Sequence, residues 1–413
     1  TAYDNGKVLC AKPSEAPYGD FDFSRNSAAT RVNAQGLVEN VQILSSNLVQ
    51  NPSFSEEGVQ EVSNGSFSQE GSELITNGDF SNGSTGWLVN AGITITDKAN
   101  FNSVSGAYIS QNILTSGKSY KLTFDITDYT GGSLLLFGGA GNVISTGYSL
   151  NAVGSYTIYF IADGSLDNRL YFGNIFTGSI DNCSVREVGQ DWTLQTGWSI
   201  AEDKATCDGT PFAQIYQTNV LTQNKTYKVT YTITSYVSGS VRAKLGNSTN
   251  GADNNANGTY TEYIYFNEAN LTFHLRSGSF NGSITNISVK EVGMDWTKND
   301  EWSIGPSVAE CDGSNGKKIL QNIGLATNKY YEFTIEVKTL TSGAIALFYF
   351  NGSYQTVASG LGLGTHTVKF YTSGTVNGSI YINSQSFIGS VTNISVIEIT
   401  DDTNLPRINY EGF

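Results

Sequence analysis

Apolar and polar residues alternate one by one through much of this chain. In "YKVTYTITSYVSG", Tyr227, Val229, Tyr231 and Ile233 fall on one side of an extended strand, with Lys228, Thr230, Thr232 and Thr234 on the other. "YKLTFDITDYTGG" repeats the pattern, Tyr120, Leu122, Phe124 and Ile126 against Lys121, Thr123, Asp125 and Thr127. A period of two predicts strands with one buried and one wet face. "SYTIYFIA", "TYTEYIYF" and "THTVKFYT", each entered from a glycine-containing turn, extend the set. No stretch carries a convincing helical period, so the predicted class is all-β, built of antiparallel β-sandwiches.

The strand pattern recurs in three long copies. "TGSIDNCSVREVGQDW" from Thr177, "NGSITNISVKEVGMDW" from Asn281 and "IGSVTNISVIEI" from Ile388 are one closing motif. Trp192 and Trp296 are 104 residues apart, as are Cys207 and Cys311. The leading aromatics Tyr120, Tyr227 and Tyr331 keep step, and Trp87, Trp198 and Trp302 are read as one further equivalent set. These landmarks divide the chain into module 1 (74–190), module 2 (191–294) and module 3 (295–400), with linkers short enough to predict a semi-rigid row.

Ahead of the modules a shorter phrase is repeated: N-P-S-F-S, N-G-S-F-S, N-G-D-F-S. Asn51, Asn64 and Asn77 are 13 residues apart, as are Phe54, Phe67 and Phe80. Each copy is too short to bury an apolar face alone. A small β-layer or intertwined β-stalk over 51–73 is therefore expected, between an attachment region at 1–50 and the modules, with a linker at 401–413 after them.

Composition narrows the partners. The 413 residues include 12% aromatics and carry a net charge of −14, which opposes a broad interface with nucleic acid or anionic lipid. No apolar run is long enough to span a bilayer, so no membrane insertion is expected.

Two resemblances sharpen the picture. "ELITNGDFSNGSTGW", from Glu73 to Trp87, resembles the opening strand of jelly-roll carbohydrate-binding modules, which commonly finish on an "IDNVSV"-like strand matched here by Ile180 to Val185. Modules 2 and 3 start directly at "DW" and lack that opening. "FDFSRNSAATRVNAQGLVENV", from Phe21 to Val41, resembles the N-terminal region of tailed-bacteriophage virion proteins, and "NLPRINYEGF" from Asn404 resembles the segment leading into a further lectin-like domain. The resemblance implies a non-enzymatic fibre or appendage protein on the virion surface. It would dock to other virion proteins through its N-terminal region, bind cell-surface glycan, and form a homo-oligomer, a trimer by analogy with fibres. The rival readings are a secreted bacterial adhesin and the non-catalytic part of a glycan depolymerase.

Candidate chemistry is sparse. A sugar needs an aromatic platform beside amides or carboxylates. Trp87, Trp198 and Trp302 offer one set of rings, alternatively core wedges, and Tyr129 and Tyr236, next to glycine near strand ends, offer another. The module family often holds a structural calcium near its opening phrase, and in module 1 the carboxylates for it are Asp79 and Asp181, alternatively a turn residue and a solvated strand residue. Cys10, Cys183, Cys207 and Cys311 are expected as free thiols, because Cys207 and Cys311 occupy one position in separate modules and Cys183 stands where Ile287 and Ile394 recur. His366 aligns with Tyr156 and Tyr260, a strand aromatic, and neither it nor His274 has a nucleophile-type context.

Overall fold

The structure, a computed structural model, describes residues 43–139, 142–145, 148–162 and 167–400. It also describes two short strand pairs, Tyr3–Asp4 with Lys7–Val8 and Thr30–Val32 with Val38–Asn40. The rest of the expected attachment region as far as position 42, Cys10 and the C-terminal linker lie outside the described residues. The chain forms two compact units, one of Glu57–Val292 and one of Thr1–Glu56 with Gly293–Phe413. Every element in the described residues is a strand, and every strand pairing is antiparallel.

In module 1 a five-stranded sheet runs in the order Gly154–Ile161, Ser119–Gly132, Phe176–Val188, Ala99–Asn102, Ile93–Ile95. A four-stranded sheet runs Leu135–Gly138, Arg169–Gly173, Tyr108–Asn112, Leu88–Val89. Burial alternates along Ser119–Gly132 as the sequence demands, and Leu122, Phe124 and Ile126 meet Leu136, Leu170 and Phe172 in one core.

Modules 2 and 3 keep this jelly-roll-like, two-layer plan, but their longest strands belong to both layers. Lys225–Leu245 pairs with Phe273–Val292, and Tyr330–Phe350 with Ser379–Thr400, the register shifting where the strands turn from one layer into the other. Glycine makes the corner. Gly239 and Gly343 have φ of 75° and 71°, and a Cβ there would lie 1.9 Å and 2.1 Å from the carbonyl oxygens of Ser279 and Ser386.

The thirteen-residue copies do not form a stalk. Each is the opening segment of a different sandwich, and they are used in reverse order. The copy at Asn77 belongs to module 1, that at Asn64 to module 2, and that at Asn51 to module 3. In each the Phe is buried, and its ring lies against a tryptophan of its module: Phe80 on Trp87 at 5.2 Å, Phe67 on Trp192 at 5.4 Å, Phe54 on Trp296 at 5.0 Å.

Hydrogen bonds fix each segment in the same way. The indole N–H of that tryptophan donates to the carbonyl of Asn77, Asn64 or Asn51 at 3.0, 3.0 and 3.1 Å. The residue after the Asn accepts from the closing strand: Cys183 N–H to Gly78, Ile287 N–H to Gly65, Ile394 N–H to Pro52. Gln111, Gln217 and Gln321 clamp the backbones of Thr76, Ser63 and Gln50, each amide both donating and accepting. The Asn and the Phe of every copy sit at φ between 44° and 58°, and the Asn side chain accepts the amide five residues on.

Two expectations change accordingly. Modules 2 and 3 do not lack the opening phrase; they receive it from ahead of module 1. The equivalent tryptophans are Trp87, Trp192 and Trp296. Trp198 and Trp302 hold another position, opposite Cys207 and Cys311, where module 1 has Ile93 opposite Phe101.

Candidate functional site

The three tryptophans expected as sugar platforms are interior. Trp87 is 7% exposed, Trp198 2% and Trp302 0%, which leaves no ring face for a ligand. Their recurrence reflects core packing. Tyr129 and Tyr236 sit at the sandwich corners, their hydroxyls donating to the carbonyls of Gly132 and Gly239 at 3.1 and 3.0 Å, with one ring face towards Phe176 and Phe280. Asp79 accepts the amide and hydroxyl of Ser81, and Asp181 accepts the amide of Asn182. Among the described residues no three His, Cys, Asp or Glu side chains are grouped as metal ligands.

Cys183, Cys207 and Cys311 are free and buried, and burial pushes the Cys183 thiol well up. The ring of His366 bonds the carbonyl of Gly362 four residues back, as the hydroxyls of Tyr156 and Tyr260 bond Ala152 and Ala256. It is a strand aromatic's substitute, as its alignment indicates.

The outer face of module 1's four-stranded sheet offers a different arrangement. Tyr108 and Tyr171 alternate with the buried Ile109, Leu170 and Phe172, and Phe137 follows the buried Leu136, so all three rings point away from the core. Tyr108 and Tyr171 meet edge to face at 5.1 Å and 76°. With Gly106, Ala107, Gly173 and Asn174 they line an open groove of about 380 Å³.

Two local features hold it open. Gly173 pairs with Tyr108, and a Cβ there would come within 2.5 Å of the carbonyl of Ala107 and 2.8 Å of the Tyr108 Cβ, so any side chain would displace the groove's wall. The Tyr171 hydroxyl donates to the Asp167 carboxylate, which also accepts the amide of Arg169. Burial, then that carboxylate, raises the Tyr171 pKa and keeps the hydroxyl a donor. A hydroxyl, a carboxylate and an amide beside flat rings suit a ligand with an apolar face and a hydroxylated rim.

The corresponding faces of the other modules differ. In module 3 Tyr381 and Phe348 occupy the positions of Tyr171 and Phe137, but Tyr354 packs on both, at 5.1 and 6.1 Å, and Lys318 lies over the Tyr354 ring at 4.5 Å. The same place in module 2 holds His274 and Lys244, with Tyr216 and Arg276 beside them. Burial and then the Lys244 charge lower the His274 pKa to about 4.

The groove escaped sequence reasoning, although it left a signal. In "YISQN" and "RLYFG" the tyrosines stand out of phase with the core residues, and an aromatic on a strand's outward face is the observation that points to a surface site.

No family model matches the chain, and no curated protein matches it. Solved structures similar to it include the tandem CBM22-1–CBM22-2 domain of Paenibacillus barcinonensis Xyn10C, at 7% identity over 54% of this chain and 99% of that one, with a TM-score of 0.24. The tandem CBM51 modules of Sp3GH98 from Streptococcus pneumoniae match at 10% identity over 84% and 97%, TM-score 0.18. A triple jelly-roll turret protein of an archaeal virus matches at 13% identity over 76% and 88%, TM-score 0.18. All three TM-scores lie far below 0.5, and they assign no family to this chain.

Proposed function

We propose that this chain is a non-catalytic appendage protein of a tailed-bacteriophage particle, and that it holds a cell-surface glycan in the groove of Tyr108, Phe137 and Tyr171. The observation that carries the glycan reading is the groove itself: three outward aromatic rings with the Asp167-bonded hydroxyl and Asn174 at their edge. Rings supply the face on which a pyranose stacks, and the fixed polar groups discriminate its hydroxyls. The virion setting rests on the phrase from Phe21 to Val41. In that setting the residues ahead of Ile43 attach to the particle, since Ile43–Gln50 belong to module 3, and identical copies, three by analogy with fibres, multiply a weak contact into firm adhesion.

The test is a glycan array probed with the full chain and its Tyr171→Ala and Tyr108→Ala variants. Wild type is expected to retain neutral saccharides, and each variant to weaken that retention about tenfold, the loss of one stacking ring. An array on which the variants bind as well as wild type would remove the groove from the reading.

A further inference from the structure

Module 2 departs from its sisters at one position in a way that sheet geometry does not require. Just before its Gln214–Gln217 strand the chain passes through the left-handed region, φ 61°, at Phe212. The hydrogen-bond pattern puts Gly106 of module 1 and Gly316 of module 3 at the same place, at φ 76° and 77°: Ala107 and Lys317 accept from Asn174 and Ser384 as Ala213 accepts from Ser277. Left-handed backbone is unstrained for glycine and strained for a bulky aromatic. Module 2 therefore keeps a strained residue where glycine serves, and the ring is not buried in return, since Phe212 is 65% exposed.

What surrounds that ring gives the strain a purpose. The Arg276 guanidinium lies 5.0 Å from its centroid, at the register position that is Gly173 in module 1 and Asn383 in module 3. One row further along the same sheet face stand Tyr216, His274 and Lys244.

Neither Arg276 nor Lys244 is ion-paired among the described residues. Lys121, Lys225, Lys228 and Lys290 all pair with glutamates, and neighbouring Arg242 pairs with Asp253 at 2.9 Å. Among the described residues the Arg276 Nε–H also has no acceptor. Glu268, an acid whose charge acts on Lys244, is engaged by the amides of Asn247, Ser248 and Thr249. In a chain of net charge −14, two adjacent free cations beside an exposed, strained aromatic ring make a local anion-attracting surface.

We propose that this face of module 2 binds a carboxylate-bearing saccharide, with Phe212 as the stacking platform and Arg276 and Lys244 holding the carboxylate. The inference extends the glycan-binding reading from the groove of module 1 to a second site of different charge preference. A planar guanidinium over a ring can present its terminal donors to a carboxylate, so an acidic sugar supplies the missing counter-charge and covers the exposed ring together. Lys244, whose pKa burial and then the Arg276 charge both lower, gains a counter-charge in the complex.

The experiment titrates the full chain with oligogalacturonate, a neutral dextrin and inorganic phosphate. Oligogalacturonate is expected to bind, and Arg276→Gln and Lys244→Gln each to weaken it about tenfold or more. Phe212→Gly is the sharper variant: it is expected to weaken binding while raising the thermal midpoint, because glycine relieves the backbone. Undiminished binding by Phe212→Gly, or by both cation variants, would overturn the proposal, as would phosphate competing as well as the sugar acid. Dextrin or array binding at the module 1 groove is measured on the same variants, so failure there and failure here are separate results.

Discussion

The openings of modules 1 and 2 are locked by charge, whereas that of module 3 is not. Ahead of module 2, Glu57 bridges Lys228 at 2.6 Å and Lys290 at 3.0 Å; ahead of module 1, Glu70, thirteen residues later, reaches Lys121 at 2.6 Å and Arg186 at 3.9 Å. The residue thirteen before Glu57 is Leu44, which pairs with Ile399, and the positions of the two cations are taken in module 3 by Glu332 and Ile397. Three nearly identical segments thus carry two different labels. A glutamate-labelled segment seated in module 3 would place its carboxylate by Glu332, with Ile397 at the second cation's position and Lys369 already paired to Glu332, and Leu44 seated in module 1 or 2 would leave Lys121 beside Arg186, or Lys228 beside Lys290, without the bridging carboxylate. Exposed pairs add only ~0–1 kcal/mol each to stability. Their greater effect here is on choice, by penalising the wrong pairing.

The comparison breaks most visibly at the phenylalanines. Phe80→Ala, Phe67→Ala and Phe54→Ala each empty a fully enclosed site beside a tryptophan, and each is expected to cost about 3–5 kcal/mol. Their reach differs. Phe80 and Trp87 are near neighbours in sequence, and the Gly71 amide bonds the Glu187 carbonyl, so a closed module 1 delivers the Asn64 segment to Trp192. Opening module 1 makes the module 2 closure a long loop, which is entropically costlier. Amide hydrogen exchange at Cys183, Ile287 and Ile394 reads each closure separately. Phe80→Ala is expected to accelerate exchange at Cys183 and Ile287, Phe54→Ala at Ile394 alone; equal spread from both variants would refute the inside-out order.

A smaller effect separates the two kinds of opening directly. Glu57→Lys sets a third cation between Lys228 and Lys290 and is expected to weaken the module 2 closure by about 1–2 kcal/mol, read as faster exchange at Ile287. The matched change Leu44→Glu, beside Glu332, is expected to weaken module 3 by less than 1 kcal/mol, because Leu44 is half exposed and a new charge there is well solvated. If Leu44→Glu left Ile394 untouched while Glu57→Lys did the same at Ile287, charge would have no part in sorting the segments.

Much of this architecture could be read in the chain beforehand, and the failures have physical causes. Period-two alternation from Tyr227 to Ile233 specifies a half-buried strand because side chains leave a strand alternately on each side, so the all-β class followed. The purpose of the thirteen-residue beat did not, since Phe67 meets a tryptophan 125 residues away and nothing local in N-G-S-F-S encodes that distance. The tryptophan alignment failed for a related reason. "TGW" at Gly86–Trp87 and Gly197–Trp198 match locally, while the true correspondence is set by which indole reaches the Asn carbonyl. Trp87, Trp198 and Trp302 are interior for the same reason: recurrence marks the shared core, whereas the outward sheet faces differ between modules, at Tyr171, His274 and Tyr381.

The gentlest probe is pH. Hydrogen bonds from Lys228, then Lys290, hold the Glu57 carboxyl below its usual value of 4.5, so the bridged anion contributes stability above that value. That contribution is lost as pH falls through the lowered folded value. His274 acts in the same direction by another route: it is kept neutral down to about pH 4 in the fold but protonates near 6.5 when unfolded, so the unfolded chain binds the extra proton between those values. Stability of module 2 from this source is full above pH 6.5 and falls towards pH 4, by about 1–2 kcal/mol once solvent screening of the half-exposed ring is allowed for. The groups facing the ring are Tyr216, Lys244 and, one row along, Arg276. Denaturant midpoints at pH 7 and 5 are therefore expected to differ more in wild type than in His274→Gln, with the remaining slope steepening only below pH 4.5 as Glu57 protonates. An unchanged slope in His274→Gln would mean that the imidazole is as free to take up a proton in the folded sheet as in the open chain.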